Sequence, residues 1–175
     1  MFCKTYSAVL HGLEAVKVQV ETDVRNGLPQ LQMVGALASE AKEARDRVRV
    51  AIENSGYRLP PKHITINLSP ADIRKEGTSF DLAIAVSILA AFGFIPEEKT
   101  EGCMFAGELS LDGKLNKVSS ILPMSSLAEK EGFRCLIVPA GNAGEASLQE
   151  KIPVYGMKTL REVVDFLNGD RKSVV

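Results

Sequence analysis

The chain has 175 residues, of which 45% are hydrophobic and 25% charged, and its formal net charge is −1. This length and composition fit one globular domain with a sizeable core, and the charge excludes general electrostatic attraction to nucleic acid or membrane. Three cysteines and two histidines, widely spaced and without a C-x-x-C pair, offer no zinc pattern, so no metal is expected. We expect reduced thiols in a cytoplasmic protein, and the longest apolar run is too short to cross a bilayer.

The first third of the chain predicts strands followed by a helix. The predicted elements are strands at residues 6–10, 15–20 and 31–34 and a helix at 39–55. Alternation of valines with polar residues indicates the second strand, and apolar residues at helical spacing indicate the helix. His11-Gly12 predicts a turn between the first two strands. Asn26-Gly27 is typical of a hairpin leading into the third strand.

The rest of the chain mixes helices with strands. The predicted elements are a strand at 63–68, a helix at 80–92, a strand and hairpin at 104–118, a helix at 121–131, a strand at 135–138, a short helix at 142–149, a short strand at 154–155 and a last helix that opens at 159 and closes at 168–169. Asp112-Gly113 predicts the hairpin turn, and Thr159 with Glu162 predicts a capping box. This order predicts an α+β (mixed α/β) domain instead of a uniform β-α-β array.

A charged, glycine-containing loop, Arg-Lys-Glu-Gly-Thr-Ser-Phe-Asp at residues 74–81, directly precedes the apolar helix. Such a junction can cap a core helix, aim a hydroxyl nucleophile or bind an anion with the free N–H groups of the first turn. We interpret Thr78 and Asp81 as a capping box, with Ser79 as the alternative N-cap. Asp81 also suits the positive end of the helix dipole.

Several motifs that would define an enzyme are missing from the sequence. It has no G-x-x-x-x-G-K-[ST] phosphate loop, no G-x-G-x-x-G, no H-E-x-x-H and no G-x-S-x-G. A Ser-His-Asp triad would need His11 or His63, and both lie at predicted strand ends. We therefore expect no ATPase, dinucleotide-dependent or triad chemistry within this chain.

Several motifs, in the same order, closely resemble the N-terminal domain of the ComM/YifB group of Mg-chelatase-like AAA+ ATPases. The similarity covers residues 3–169. The motifs are NLSPADIRKEGTSFDL at 67–82, GELSLDGK at 107–114, LIVP at 136–139, YSAVLHGL at 6–13, LPQLQMVG at 28–35, EARDRVR at 43–49 and NSGY at 54–57.

The resemblance implies a Lon-protease-like domain with the ribosomal-protein type of β-α-β fold, a mixed sheet packed by helices, over residues 1–169. Residues 170–175 would be a frayed tail or linker toward an AAA+ ATPase module. ATP and Mg would bind only to that module, so no cofactor is expected in this chain. Family roles in DNA branch migration and natural transformation imply DNA as a partner and self-association in a ring, expected to be hexameric.

The loop also resembles the serine loop of Lon peptidases, in which Ser79 would match the nucleophile. Lon-type chemistry needs a lysine to take the serine proton. By alignment with that family, an apolar residue near Leu122 occupies the lysine position. Asp81 beside the serine would also repel a developing oxyanion. We therefore expect no catalytic residue, with a Lon-type serine peptidase as the least favoured alternative.

Basic residues supply the candidate contacts to DNA. Lys42, Arg45 and Arg49 fall at i, i+3 and i+7 on the first helix, which suits phosphate contacts without sequence preference. Arg74 and Lys75, with the first turn of the apolar helix, form a second anion candidate. Mixed charge on a helix is also typical of a plain solvated face.

Two functions remain open at this point. One is a non-catalytic accessory domain that assists DNA binding, branch migration or ring assembly of an ATPase. The other is a protein-interaction or oligomerisation domain without DNA contact, in which exposed apolar residues such as Phe94 and Ile95 would meet neighbouring subunits.

Overall fold

The computed structural model describes residues 1–148 and 151–170, apart from the side chain of Glu40. The strands are β1 (Phe2–His11), β2 (Glu14–Arg25), β3 (Gln30–Val34), β4 (His63–Ser69), β5 (Cys103–Phe105), β6 (Glu108–Leu109), β7 (Leu115–Asn116), β8 (Cys135–Pro139) and β9 (Val154–Met157). The helices are α1 (Ser39–Lys42), α2 (Ala44–Asn54), α3 (Asp81–Ala91), α4 (Ile121–Lys130), α5 (Ala143–Ala146) and α6 (Leu160–Leu167), and short 3-10 turns lie at Glu97–Lys99 and Ala140–Asn142.

Seven strands form one mixed sheet in the order β3-β4-β2-β1-β5-β8-β9. β1 pairs antiparallel with β2, and β2 pairs antiparallel with β4. The remaining neighbours are parallel, and β6 with β7 forms a separate two-stranded hairpin. The predicted α+β class with a mixed sheet is confirmed.

The hairpin predicted at Asn26-Gly27 is wrong. The place beside β2 is taken by β4, which arrives after α1 and α2, and β3 lies on the far side of β4. Because β3 and β4 run parallel, residues 30–69 form a β-α-β crossover. The turn at His11-Gly12 is confirmed, since His11 pairs with Glu14 and Gly12 has a φ of 67°.

Helices cover the sheet on both faces, and each face has its own apolar core. Alternation along β8 shows the division, because Cys135 and Ile137 join the core under α2, α3 and α6, whereas Leu136 and Val138 join the core under α4 and α5. β4 buries one face only: Ile64, Ile66 and Leu68 belong to the core that contains α3, and the intervening polar residues are half-exposed. All eleven residues of α3 are buried, as its continuous apolar sequence predicts.

Two of the predicted helices differ in detail. The helix expected at 39–55 is interrupted at Glu43, so α1 and α2 are separate. The helix expected at 142–149 ends at Ala146, and residues 149 and 150 lie outside the described part of the chain. The expected tail at 170–175 likewise lies outside the described residues except for Asp170. None of the helices that the structure describes is long and apolar enough to cross a membrane.

Candidate functional site

The loop before α3 is held rigidly against the centre of the fold. Gly107 N–H donates to the carbonyl of Ser79 at 3.0 Å, and Leu82 N–H donates to the carbonyl of Gly107 at 3.1 Å. A Cβ on Gly107 would lie 3.1 Å from the side chain of Leu115, so the glycine permits this close approach. These contacts fix the backbone at Ser79 and Leu82 relative to the segment that follows β5.

Ser79 lines a cavity of about 290 Å3 between this loop and the start of α4. The lining residues are Val9, Leu10, Glu76, Gly77, Thr78, Ser79, Val118, Ser119, Ser120 and Met124. The Ser79 hydroxyl donates to the carbonyl of Ala8 at 3.5 Å, a long bond. Among the described residues lining this cavity there is no lysine and no histidine.

The residue of α4 that faces this cavity is Met124, not Leu122. Leu122 lines a different cavity, on the side of the molecule that carries Leu13 and Ala15. The assignment of the Lon-type lysine position to an apolar residue near Leu122 stays a prediction, and Leu122 does not line the Ser79 cavity. Lys114 and Lys117 are exposed, and neither lines the Ser79 cavity.

Asp81 neither caps α3 nor faces the Ser79 cavity, which corrects two predictions. The helix starts after Phe80, and no side-chain cap bond is found there within the described chain. The Asp81 carboxylate instead accepts from Arg47 Nε at 2.9 Å, from Arg47 Nη2 at 3.0 Å and from Leu109 N–H at 3.0 Å. The paired acceptance of a guanidinium makes Asp81 a structural link between α2, α3 and β6.

The environment of this ion pair has two opposing effects on the pKa of Asp81. Burial raises the pKa of the Asp81 carboxyl, while the hydrogen bonds from Arg47 and Leu109 oppose that rise. The bond to Asp81 raises the pKa of the Arg47 guanidinium. Sequence reasoning missed this pair, although one signal was present: an acidic residue at the start of a helix with no exposed face needs a buried partner.

Lys75 is not on the surface, which argues against its predicted place in an anion site. Its side chain is fully buried, and its ammonium donates to the carbonyl of Pro70. Burial lowers the pKa of this ammonium. Backbone bonds to Ala36 and Ala38 hold Lys75 in place, whereas Arg74 beside it is 67% exposed and pairs with Glu76 at 3.6 Å.

The three basic residues of the predicted stripe are all exposed, and we call Lys42, Arg45 and Arg49 the basic stripe. Arg45 and Arg49 share one carboxylate, since Asp46 lies 3.6 Å from the first and 3.9 Å from the second. Arg49 also lines a cavity of about 220 Å3 together with Lys62. The crossover between β3 and β4 thus brings a loop lysine beside the stripe, a proximity that sequence spacing cannot show.

Comparison with known proteins identifies the family. The family model described as subunit ChlI of Mg-chelatase matches residues 20–142. The chain belongs to this family. Competence protein ComM of Haemophilus influenzae is 42% identical over 167 residues, which make up 95% of this chain and 33% of ComM. YifB of Salmonella typhimurium is 44% identical over 158 residues, 90% of this chain and 31% of YifB.

These matches confirm the predicted resemblance to the N-terminal domain of ComM/YifB proteins in the Mg-chelatase-like family. The chain spans about a third of the length of those relatives. Lon protease 2 of Bacillus subtilis is 29% identical over 128 residues, 73% of this chain and 23% of that protein. Ser79, which was expected from its resemblance to the Lon serine loop to match the nucleophile, lines the cavity described above, and that match stays a prediction.

Proposed function

We propose that this chain is a non-catalytic accessory domain of a Mg-chelatase-like ATPase, and that the basic stripe contacts DNA phosphates. The observation that carries the proposal is the exposed group of cations on α1 and α2, extended by Lys62 at the rim of the same surface. The similarity to competence protein ComM, with the role in DNA branch migration that the family resemblance implies, supports DNA as the partner. ATP hydrolysis would belong to an ATPase module of the parent protein.

The charges around the stripe are compatible with phosphate binding. Arg45 and Arg49 are 52% and 57% exposed, and Asp46, their shared partner, is 65% exposed. Exposed ion pairs of this kind contribute less than about 1 kcal/mol, so a phosphate can replace the carboxylate at small cost. Arg47 is committed to Asp81 and is therefore not counted among the DNA contacts.

Salt dependence of DNA binding tests the stripe. If Lys42, Arg45 and Arg49 each contact a phosphate, replacing all three with Ala should flatten the slope of log K against log[salt] by about 2 to 3. Fluorescence anisotropy with labelled single-stranded and branched DNA measures the slope. The matched control replaces Lys17, Lys130 and Lys151, which lie on or beside α4 across the sheet, and removes the same charge. Equal slopes for the two triple variants would refute the stripe.

The non-catalytic part of the proposal rests on the Ser79 cavity. A lone serine hydroxyl is a poor nucleophile at neutral pH unless a base takes its proton. We expect a fluorophosphonate probe to leave Ser79 unlabelled under conditions that label an active serine peptidase. Stoichiometric labelling of Ser79, read by peptide mass spectrometry, would contradict the proposal.

The second candidate function is association between copies of this domain, and one observation favours it. Leu13 is 96% exposed and lines a cavity of about 490 Å3 with Leu122 and Leu127. Phe94 and Ile95, predicted to supply such a surface, do not: Ile95 is fully buried, and the ring of Phe94 packs edge-on against Tyr57. Light scattering over a range of concentrations measures whether the molar mass of the domain rises through association. Leu13→Glu should abolish any association that uses this surface.

A further inference from the structure

Two cysteines far apart in sequence lie side by side in the sheet. Cys103 of β5 and Cys135 of β8 are direct partners in the parallel register. Their side chains therefore leave the sheet on the same face, and the two Sγ atoms are 3.1 Å apart. Neighbouring strands are about 4.8 Å apart, within the range of Cα separations that a disulfide spans. A bond between the two sulfurs requires only that they move about 1 Å closer.

The surroundings of the two thiols make them unequal. The Cys135 thiol donates to the Cys103 sulfur, and Arg134 Nη2 lies 3.6 Å from that same sulfur. The bond from Cys135 and, to a smaller extent, the neighbouring Arg134 lower the pKa of Cys103 to about 7, against the effect of burial. The same contact raises the pKa of Cys135. The cation beside its sulfur makes Cys103 the better candidate for the attacking thiolate of the pair.

A surface cavity lies against both cysteines. A cavity of about 260 Å3 is lined by Cys103, Cys135 and Arg134 and bounded by Tyr155 and Phe166. The two residues are only 1% and 5% exposed, so we expect a reagent little larger than water to react with them and a bulky disulfide to be excluded. Cys3 is as deeply buried, but its nearest hydrogen-bond partner is a backbone carbonyl, and burial raises its pKa to about 11.

We propose that Cys103 and Cys135 form a redox-active dithiol, a second functional site that peroxide oxidises to an intramolecular disulfide. The Cys103 thiolate attacks one oxygen of hydrogen peroxide and breaks the O–O bond, which gives a sulfenic acid and hydroxide. The Cys135 sulfur then loses its proton, attacks the Cys103 sulfur and displaces the second hydroxide. With the two thiol protons, both hydroxides leave as water, and the peroxide is reduced by two electrons.

The disulfide would join the first residue of β5 to the first residue of β8, two neighbouring strands in the half of the sheet that ends at β9. The segment between the two cysteines carries the β6–β7 hairpin and α4, which includes one wall of the Ser79 cavity. Closing this segment restricts the unfolded chain, so the oxidised protein should melt several degrees higher than the reduced protein. This site depends on neither the DNA contact nor the inertness of Ser79.

The experiment follows each thiol of the full chain during treatment with hydrogen peroxide at pH 7. Remaining thiols are alkylated and mapped by mass spectrometry. We expect a 103–135 disulfide to form at least tenfold faster than Cys3 is lost, and this preference to vanish in the urea-unfolded chain. Loss of Cys3 at a comparable rate, bridges that include Cys3, or no reaction in the folded chain would overturn the proposal.

Variants separate the roles of the groups. Cys135→Ser should stop the reaction at a Cys103 sulfenic acid, which a cyclic 1,3-dione traps. Arg134→Ala should slow disulfide formation several-fold and move the midpoint of Cys103 thiolate absorbance to higher pH, whereas Arg161→Ala, an exposed arginine outside this cavity, should change neither. If Arg134→Ala behaves like Arg161→Ala, or if the dione labels Cys3 in place of Cys103, the assignment is wrong.

Discussion

At the scale of single residues, Asp81 shows how burial redirects a side chain. Its position at the start of a helix is typical of a capping or dipole role, yet its carboxylate is fully buried and joins Arg47. An unpaired buried charge destabilises the folded state more than the loss of one N-cap hydrogen bond does. Pairing with Arg47 is therefore favoured over capping α3. The identity of that partner depended on how α2 packs against α3.

The two acidic partners of Arg47 should differ sharply in their effect on stability. Asp81→Ala leaves a largely buried guanidinium without its main partner and should cost about 3 kcal/mol. Glu43 lies 3.7 Å from the same arginine but is 72% exposed, so Glu43→Ala should cost less than about 0.5 kcal/mol. Urea unfolding measures both free energies. Similar costs for the two variants would show that the Asp81 pair is no stronger than a surface contact.

Burial of Lys75 predicts a pH dependence of stability. Because burial lowers the pKa of this ammonium below its ordinary value of 10.5, the folded state binds fewer protons than the unfolded state as pH approaches that value. The free energy of unfolding should therefore rise with pH in the window below 10.5, and Lys75→Met should lack this rise. Urea titrations at pH 7 and pH 9.5 measure the free energy of unfolding of both proteins. Between these pH values, the free energy of unfolding of the protein with Lys75 should rise relative to that of Lys75→Met.

At the scale of elements, local sequence signals predicted the start of a helix or a turn correctly where its backbone hydrogen bonds are made by nearby residues. α6 has the predicted N-cap, since Thr159 Oγ1 accepts from Glu162 N–H at 3.1 Å. The reciprocal bond of the predicted capping box is displaced by one residue, because Glu162 Oε2 accepts from Lys158 N–H at 2.6 Å. The Asp112-Gly113 hairpin also forms as predicted, with Gly113 at a φ of 90°. The signals failed at α3, whose first turn bonds to distant parts of the chain.

The two predicted N-cap hydroxyls should therefore respond differently to removal. Thr159→Ala should destabilise the protein by about 1 kcal/mol, since it deprives α6 of its N-terminal cap. Ser79→Ala should cost less than half as much, because its hydroxyl makes only one long bond and caps no helix. Thermal unfolding monitored by circular dichroism compares the two. A larger loss for Ser79→Ala would restore the capping interpretation.

At the scale of the whole molecule, one sheet carries two cores, so the two faces should unfold together. Met124 lies in the core under α4, and Leu160 lies in the core on the opposite face. Met124→Ala and Leu160→Ala should each cost about 2 to 5 kcal/mol and shift one common transition. The control Leu13→Ala, at a 96% exposed position, should stay within about 0.5 kcal/mol. Two separate transitions in either core variant would show that the faces are independent units.

The amino-acid sequence by itself determined the elements, the α+β class and the family, because periodicity, turn residues and contiguous motifs are local properties of the chain. Only the tertiary structure decided the strand order, the burial of Lys75, the partner of Asp81 and the position of Arg49 and Lys62 at the same cavity. The same holds for Cys103 and Cys135, whose proximity depends on the register of two parallel strands. Each of these results depends on which distant segments pack together, and that packing follows from the burial of apolar faces across the whole chain.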